Sequence, residues 1–229
     1  MSKKMYIGVD GVARKVKKAY VGVDNVARKV KKMYMGVEGV ARCVFSGEPE
    51  LSYYGTATEL SAARSRLAAT SVGNYALFGG GTNGSSAFKT VDAYNISLTR
   101  STPTELNYVT TGLVATSVGN YALLGGGSYK VLNAYDTSLT RTTPTALSVQ
   151  VCGAATSVGN YALFGGGTTG STYYATVDVY DTSLTKTLAT DMSQSRSKLA
   201  ATSVGNYALF GGGTDGNANY ATVDVYQVA

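Results

Sequence analysis

Few side chains in this chain are suited to catalysis. There is no histidine among its 229 residues, and histidine is the usual general base near neutral pH and the commonest metal ligand. The remaining reactive groups are carboxylates, lysines, eighteen tyrosines and two cysteines. Cys43 and Cys152 have no CxxC spacing, which argues against a zinc site or a disulfide framework. We therefore predict no metal and no cofactor.

The carboxylates recur at fixed repeat positions. Asp92, Asp178 and Asp224 share one position, and Asp136 and Asp181 share another. Catalysis by a carboxylate pair needs two unlike environments, which symmetry-related positions do not provide. No GxSxG, HExxH or phosphate-binding loop occurs in the sequence. We expect these aspartates to hold turns or strand ends and predict that the protein is not an enzyme.

Four loops that each follow a glycine triplet differ from one another in length and composition. Their sequences are TNGSSAFK, SYK, TTGSTYYA and TDGNANYA. Aromatic rings and amides of this kind suit carbohydrate or protein surfaces, and ordinary solvated loops are the alternative. The candidate ligand-binding residues are Phe88, Tyr129, Tyr173, Tyr174, Asn217, Asn219 and Tyr220.

A strongly basic segment opens the chain. Residues 1–46 hold eleven lysines and arginines against three acidic residues. Lysines near tyrosines suit phosphates and bases, but lysines that alternate with valines are typical of solvated strand faces and of surfaces that bind an acidic protein. We favour a protein partner over nucleic acid. The candidate anchoring residues are Arg14, Lys15, Lys17, Arg28, Lys29, Lys31 and Phe45.

This segment repeats every 14 residues, in units that begin at Met5, Ala19 and Met33. Each unit places Asp-Gly, Asp-Asn or Glu-Gly between two β-forming runs, and these pairs tolerate the positive φ angles of a two-residue turn. We predict one hairpin per unit, with Val9 facing Val12 in the first. Because an isolated hairpin is marginally stable in water, the units must stack on one another or on partner chains.

Four longer units follow, each marked by SVGNYAL and a glycine triplet. Their asparagines, Asn74, Asn120, Asn160 and Asn206, are 46, 40 and 46 residues apart, a spacing typical of propeller blades. In each unit we predict two strands joined by a Gly-Asn turn, then a third strand, and a fourth near TPTEL or TPTAL. The predicted third strands are 90–94, 131–135, 176–180 and 222–226.

The final unit stops after its third predicted strand, and a matching segment precedes the first unit. Residues 56–61 (TATELS) align with residues 102–107 (TPTELN). We predict that this N-terminal strand completes the final unit and closes a ring. Two chains that pool eight blades are the alternative.

The longer units resemble the kelch repeats of β-propellers, in which a strand ends in a glycine doublet and a VxVYD strand and a polar outer strand follow. Leu98, Leu139 and Leu184 stand where that family usually has tryptophan. The resemblance leads us to predict an all-β chain. It would have a small N-terminal β-hairpin repeat segment (1–46), a linker (47–50) and a four-bladed kelch-like β-propeller closed by an N-terminal strand (51–229).

The pairing of GVDGVARKVKK repeats with SVGNYALFGGG repeats also resembles virion proteins of phages and prophages of Gram-positive bacteria. This resemblance implies a phage structural protein: a tail fibre, a receptor-binding protein or a head-decoration component. Residues 1–46 would attach a homo-oligomer to other virion proteins, and the propeller would project toward host polysaccharide or protein. A bacterial kelch-like interaction module is the alternative, and a carbohydrate-active enzyme is third, because kelch-like oxidases need histidines.

No apolar run approaches the ~20 residues of a membrane span, and the start MSKKMYIGV lacks the apolar core of a signal peptide. We therefore expect synthesis in the host cytoplasm, no membrane span, and assembly into the virion.

Overall fold

The computed structural model describes residues 5–9, 12–16, 19–23, 26–30, 32–37, 40–46, 51–150 and 153–228. These residues form twenty-one β-strands, and no helix occurs within those ranges. The prediction of an all-β chain is confirmed. The chain divides into two compact units, Met1–Gly55 and Thr56–Ala229.

The first unit contains three antiparallel hairpins. They pair β1 (Met5–Val9) with β2 (Val12–Val16), β3 (Ala19–Val23) with β4 (Val26–Val30), and β5 (Lys32–Val37) with β6 (Val40–Ser46). In the first hairpin Val9 lies opposite Val12, as the repeat predicts. The third is irregular between Met33 and Tyr34. The predicted turns at 10–11, 24–25 and 38–39 lie outside the described residues.

The second unit contains four antiparallel sheets, I to IV, in chain order. Sheet I consists of β7 (Ala68–Val72), β8 (Tyr75–Gly79), β9 (Val91–Asn95) and β10 (Arg100–Ser101). Sheet II consists of β11 (Leu113–Val118), β12 (Tyr121–Gly126), β13 (Leu132–Tyr135) and β14 (Arg141–Thr142). Sheet III consists of β15 (Ala154–Val158), β16 (Tyr161–Thr168), β17 (Tyr173–Asp181) and β18 (Lys186–Leu188). Sheet IV consists of β19 (Ala200–Val204), β20 (Tyr207–Gly211) and β21 (Val223–Gln227).

A tight Gly-Asn turn joins the first two strands of every sheet. In sheet I, Val72 lies opposite Tyr75 and Gly73 has a φ of 52°, in the left-handed region that glycine enters without a Cβ clash. The equivalent glycines of the other sheets have φ angles of 52°, 54° and 56°. The repeated VGNY sequence therefore forms the turn that it predicts.

The outer strands β10, β14 and β18 begin earlier in the sequence than predicted. β10 and β14 end before the TPTEL and TPTAL stretches, whose Pro103 and Pro144 have no N–H to donate to a strand ladder. These stretches instead cross to the next sheet, where Leu106 and Leu147 become fully buried. The expectation of a fourth strand near TPTEL and TPTAL is corrected accordingly.

Consecutive sheets pack face to face with apolar clusters between them. We call the face that packs on the following sheet the front face, and the face that packs on the preceding sheet the rear face. Between sheets I and II, Leu77 and Val91 of the front face pack with Ala122, Leu124 and Tyr135 of the rear face. The cluster between sheets III and IV contains Val158, Leu163, Val177, Ala208 and Phe210. Burial of each large side chain of this kind stabilises the fold by about 1.5–3 kcal/mol.

The segment 56–61 lies on sheet I and does not complete sheet IV. The Tyr94 hydroxyl donates a hydrogen bond to the Thr58 carbonyl (2.7 Å), and Tyr135 does the same to the Thr104 carbonyl on sheet II (2.7 Å). In both sheets, therefore, a tyrosine on the third strand binds the segment that precedes its own sheet. The prediction that the N-terminal strand closes the ring on the last unit is therefore wrong.

Both ends of the row of sheets are uncovered. On the front face of sheet IV, Val204, Val223 and Val225 are 65%, 52% and 54% exposed, whereas Val158 and Val177 at two of the equivalent positions of sheet III are 5% and 0% exposed. Within the described residues, then, the four sheets form a packed series without the ring closure that a complete propeller would have.

Candidate functional site

We use linker below for the segment that precedes each sheet. A buried ion pair joins the linkers of sheets I and IV to the sheet that follows each of them. In sheet I, the Arg64 guanidinium lies 2.7 Å from the Asp92 carboxylate, and both side chains are fully buried. Ser61 donates to the same carboxylate from its backbone N–H (3.1 Å) and its hydroxyl (3.0 Å). In sheet IV, Arg196 holds Asp224 in the same way at 2.5 Å. These aspartates bind the linker to the sheet from within the third strand, whereas the sequence predicted that they hold turns or strand ends.

Sheets II and III show how this junction tolerates change. In sheet II the arginine position is Thr110 and the aspartate position is Asn133, whose amide oxygen accepts the Asn107 backbone N–H (3.2 Å). In sheet III, Asp178 remains and is paired with Lys186 at 2.9 Å. In sheet II the carboxylate and the buried arginine are both absent, and Arg141, at the position of Lys186, donates to the Glu105 carbonyl instead. A buried carboxylate without a cation beside it would be costly.

The second set of repeated acidic residues holds the turn between the third and fourth strands. Asp136 Oδ1 accepts the backbone N–H groups of Ser138 (2.8 Å) and Thr140 (2.9 Å). Asp181 does the same in sheet III. Each turn places a leucine in the left-handed region, with φ of 63° at Leu139. The expectation that these aspartates hold turns is confirmed.

The tyrosines that recur on the third strands stay protonated and act as hydrogen-bond donors. Burial raises the pKa of Tyr226 to about 12, with the nearby Asp224 charge as a further cause. Burial also raises the pKa of Tyr135 and of Tyr180 well above the usual phenol range. Their hydroxyls therefore donate to the linker carbonyls at all physiological pH values.

We call the loops that follow the glycine triplets, with the linker residues beside them, the loop rim. A pair of exposed tyrosines lies there between sheets I and II. The rings of Tyr108 and Tyr129 stack with centroids 4.5 Å apart and an interplanar angle of 23°, and they are 49% and 41% exposed. We call them the tyrosine pair. The sequence predicts Tyr129 as a candidate ligand-binding residue but not Tyr108, because the stretch near TPTEL, which contains Tyr108, is predicted to form a strand.

Phe88 adjoins the same part of the rim. It is half-buried, and its backbone carbonyl accepts the Thr110 backbone N–H (3.1 Å). Thr110 in turn accepts the backbone N–H of Ser128 (3.2 Å), next to Tyr129. The structure thus brings Phe88 close to the tyrosine pair through Thr110.

The other predicted rim residues lie in β17 of sheet III and in the loop that follows β20 of sheet IV. Tyr173 is half-buried, and its hydroxyl lies so close to Gly216 that a Cβ there would be 2.5 Å away. Tyr174 is half-buried and packs against the apolar cluster between sheets II and III. Tyr173 and Tyr174 therefore offer less free ring surface than the sequence suggested.

Asp215 organises the fourth rim loop. Its carboxylate accepts the backbone N–H groups of Ala218 (2.8 Å) and Asn217 (2.9 Å) and the Tyr220 hydroxyl (2.7 Å). The Ala218 and Tyr220 hydrogen bonds, in that order, hold the pKa of Asp215 below its usual value. Asn217 and Asn219 have exposed side chains, so this loop is preformed and presents two amides.

The predicted anchoring residues fall in the first unit. Lys17 and Lys31 lie outside the described residues. Arg14 and Lys15 are in β2, Arg28 and Lys29 in β4, and Phe45 in β6. Their role as an anchor stays a prediction.

A scan against protein-family models and a search of curated proteins both find no match for this chain. Within residues 51–150 and 153–228 and the described strands before them, no three metal-ligating side chains cluster into a possible ion site. The same residues contain no helix that could cross a bilayer.

Proposed function

We propose that this chain is a phage virion structural protein whose stacked sheets hold a variable loop rim toward the host surface. The tyrosine pair carries this proposal. It exposes two stacked rings at a rim where neighbouring units differ, on sheets whose cores are nearly identical. Flat aromatic surfaces of this kind suit sugar rings and protein surfaces.

The basic hairpin segment would attach the protein to the particle. Its excess of lysine and arginine favours an acidic protein surface, and a hairpin gains stability by packing on others. The protein would thus be a homo-oligomer held to its virion neighbours by residues 1–46. A bacterial interaction module with the same two parts is the alternative.

The repeated carboxylates are occupied by ion pairs and turn N–H groups, which supports a binding role over catalysis. Asp92 and Asp224 are neutralised by buried arginines, and Asp136 and Asp181 are occupied by turn N–H groups. The face-to-face sheets of three or four strands in chain order are consistent with a propeller-like architecture.

Mass spectrometry of purified particles tests the virion role. We expect this chain at a copy number that is a fixed multiple of a known tail or capsid protein. Its absence from particles, together with its presence in the host lysate, would favour the bacterial interaction module.

Binding of the purified full chain to host cell-wall polysaccharide tests the rim. We expect Tyr108→Ala/Tyr129→Ala to weaken binding by about tenfold or more. Tyr161→Ala is the matched control, because Tyr161 is also 41% exposed but lies in β16 of sheet III, at the opposite end of that strand from its rim loop. Equal binding by both variants would exclude the tyrosine pair as the contact, and no binding by the wild type would favour capsid decoration.

A further inference from the structure

The two uncovered ends of the row of sheets are complementary to each other. The front face of sheet IV carries Ala200, Val204, Leu209, Val223 and Val225, the same residue types as the front face of sheet III (Ala154, Val158, Leu163, Val177 and Val179). The rear face of sheet I carries Ala76, Phe78 and Tyr94, the same types as Ala208, Phe210 and Tyr226 on the rear face of sheet IV. The two free faces therefore repeat, residue for residue, the pair that already packs between sheets III and IV.

A glycine on the front face marks the place for an aromatic ring. A Cβ on Gly165 of sheet III would lie 2.7 Å from the Phe210 ring of sheet IV, so glycine is needed there for close packing. The equivalent Gly211 of sheet IV faces no such neighbour, and a Cβ there would meet only Val223, at 3.5 Å. No residue of the described chain occupies the space beside Gly211. By analogy with Phe210 beside Gly165, a Phe78 ring would fit there.

A strained leucine marks the opposite face. Leu139 and Leu184 have left-handed φ angles of 63° and 62°. Each packs against the apolar cluster that covers the rear face of its own sheet. Leu98 has the same strain, with a φ of 59°, yet it is 45% exposed. It borders an open groove of about 490 Å³ lined also by Leu60, Phe78 and Tyr94. The backbone of sheet I is therefore shaped to receive a front face that is absent from it.

We infer that the front face of sheet IV binds the rear face of sheet I of a second copy of this chain. The two faces do not cover each other within one chain, because Val223 and Val225 on sheet IV and Ala76 and Leu98 on sheet I are all exposed in the same structure. Contiguous exposed apolar surface of this kind is typical of association sites. Contact of one face with a different face is head-to-tail association, which closes into a ring or continues into a filament. The inference holds whether or not the protein belongs to a virion.

Sedimentation equilibrium of the full chain and of single-face variants tests this. We expect the wild type to form oligomers, and Gly211→Ala to weaken association by about tenfold or more, because its Cβ would strike the incoming Phe78 ring. Val223→Lys/Val225→Lys should weaken it further. Leu188→Lys is the matched control, since Leu188 is 61% exposed on β18, away from both faces, and should associate as the wild type does.

A mixing experiment tests the head-to-tail geometry. One partner carries Val223→Lys/Val225→Lys and keeps its rear face; the other carries Ala76→Lys/Leu98→Lys and keeps its front face. Each alone should give a smaller species than the wild type, and mixing the two in equal amounts should restore association in complexes that contain both variants by native mass spectrometry. A wild-type monomer, oligomers unchanged by the face variants, or a failure of the two variants to pair would each overturn the inference. Circular dichroism of every variant checks that it is folded.

Discussion

Asp92 illustrates how one buried carboxylate depends on the cation beside it. Arg64 approaches it at 2.7 Å, and Arg100 reaches its other oxygen at 3.5 Å. Removing the negative charge while Arg64 stays buried leaves an uncompensated guanidinium, a change that typically costs several kcal/mol. The chain contains its own comparison, because sheet II has Thr110 and Asn133 at these two positions.

We predict that Asp92→Asn lowers the free energy of unfolding by about 3 kcal/mol. Arg64→Thr/Asp92→Asn, which reproduces the pair of sheet II, should recover most of that loss. Urea denaturation of the wild type, both single variants and the double variant measures the coupling. A double variant as unstable as the sum of its two singles would show that the two residues act independently.

Tyr226 gives the protein a sensitivity to alkaline pH. Its pKa is about 12 when folded, against about 10 for an exposed tyrosine. Between these values the unfolded chain loses a proton that the folded chain keeps. Stability from this group is therefore fully present below pH 10 and falls as the pH rises toward 12.

We predict that Tyr226→Phe loses about 1 kcal/mol at pH 7, because the hydrogen bond to the Thr190 carbonyl (2.9 Å) is removed. Between pH 10 and 12 the stability of the variant should fall less steeply than that of the wild type. Denaturant titrations across this range measure both effects. Parallel pH profiles for the two proteins would contradict the assignment.

At the scale of single elements, the turn between the third and fourth strands relies on one side-chain acceptor. Asp136 provides it in sheet II, and Asn95 provides it in sheet I, accepting from Ser97 and Thr99 at 3.0 Å each. The role therefore requires a short side-chain carbonyl or carboxylate oxygen, with no requirement for charge.

We predict that Asp136→Ala lowers the free energy of unfolding by about 1 kcal/mol, because two turn N–H groups lose their acceptor. Asp136→Asn should be close to neutral, since Asn95 shows that the amide serves equally well. Thermal and urea denaturation provide the measurement. An asparagine variant as unstable as the alanine variant would mean that the charge itself matters.

The strands and turns of the repeats were predictable because they depend on local sequence. Val72, Gly73, Asn74 and Tyr75 specify their hairpin within four residues, and the register follows. The course of residues 56–61 was not predictable in the same way. Alignment shows that they resemble the linker 102–107, but which sheet they bind is set by the Tyr94 hydroxyl, more than thirty residues away in the chain.

The rim was predictable only in part for the same reason. Loop composition identified Tyr129, whereas Tyr108 lies in a linker and reaches the rim only through the crossing between sheets. Arg64 and Arg196 were also missed. Each lies three residues after a linker serine, Ser61 or Ser193, and a comparison of linkers, instead of strands, would have revealed them.

At the scale of the whole molecule, the chain passes from one compact unit to the other through an exposed segment. Leu51, Tyr53 and Tyr54 are 104%, 85% and 91% exposed, next to the boundary at Gly55 and Thr56. Exposed segments between compact units are the preferred sites of proteolytic cleavage.

We predict that brief chymotrypsin treatment of the native protein cuts first after Leu51, Tyr53 or Tyr54. Tyr135 and Tyr180, which are fully buried, should be cut only after unfolding. Mass spectrometry of the fragments identifies the sites, and a stable product beginning near Gly55 is the expected result. Early cleavage inside sheets II or III would contradict the division of the chain.

The near-identity of the sheet junctions has a genetic consequence. The front faces carry similar apolar residues, and so do the rear faces apart from Leu124 of sheet II, where the other sheets have phenylalanine. A chain that gained or lost one unit of about 46 residues would therefore still match its neighbours closely. Unequal recombination between such similar coding stretches can therefore change the length of the protein without a new folding problem. Selection is then free to diversify each rim loop separately, one duplicated copy at a time.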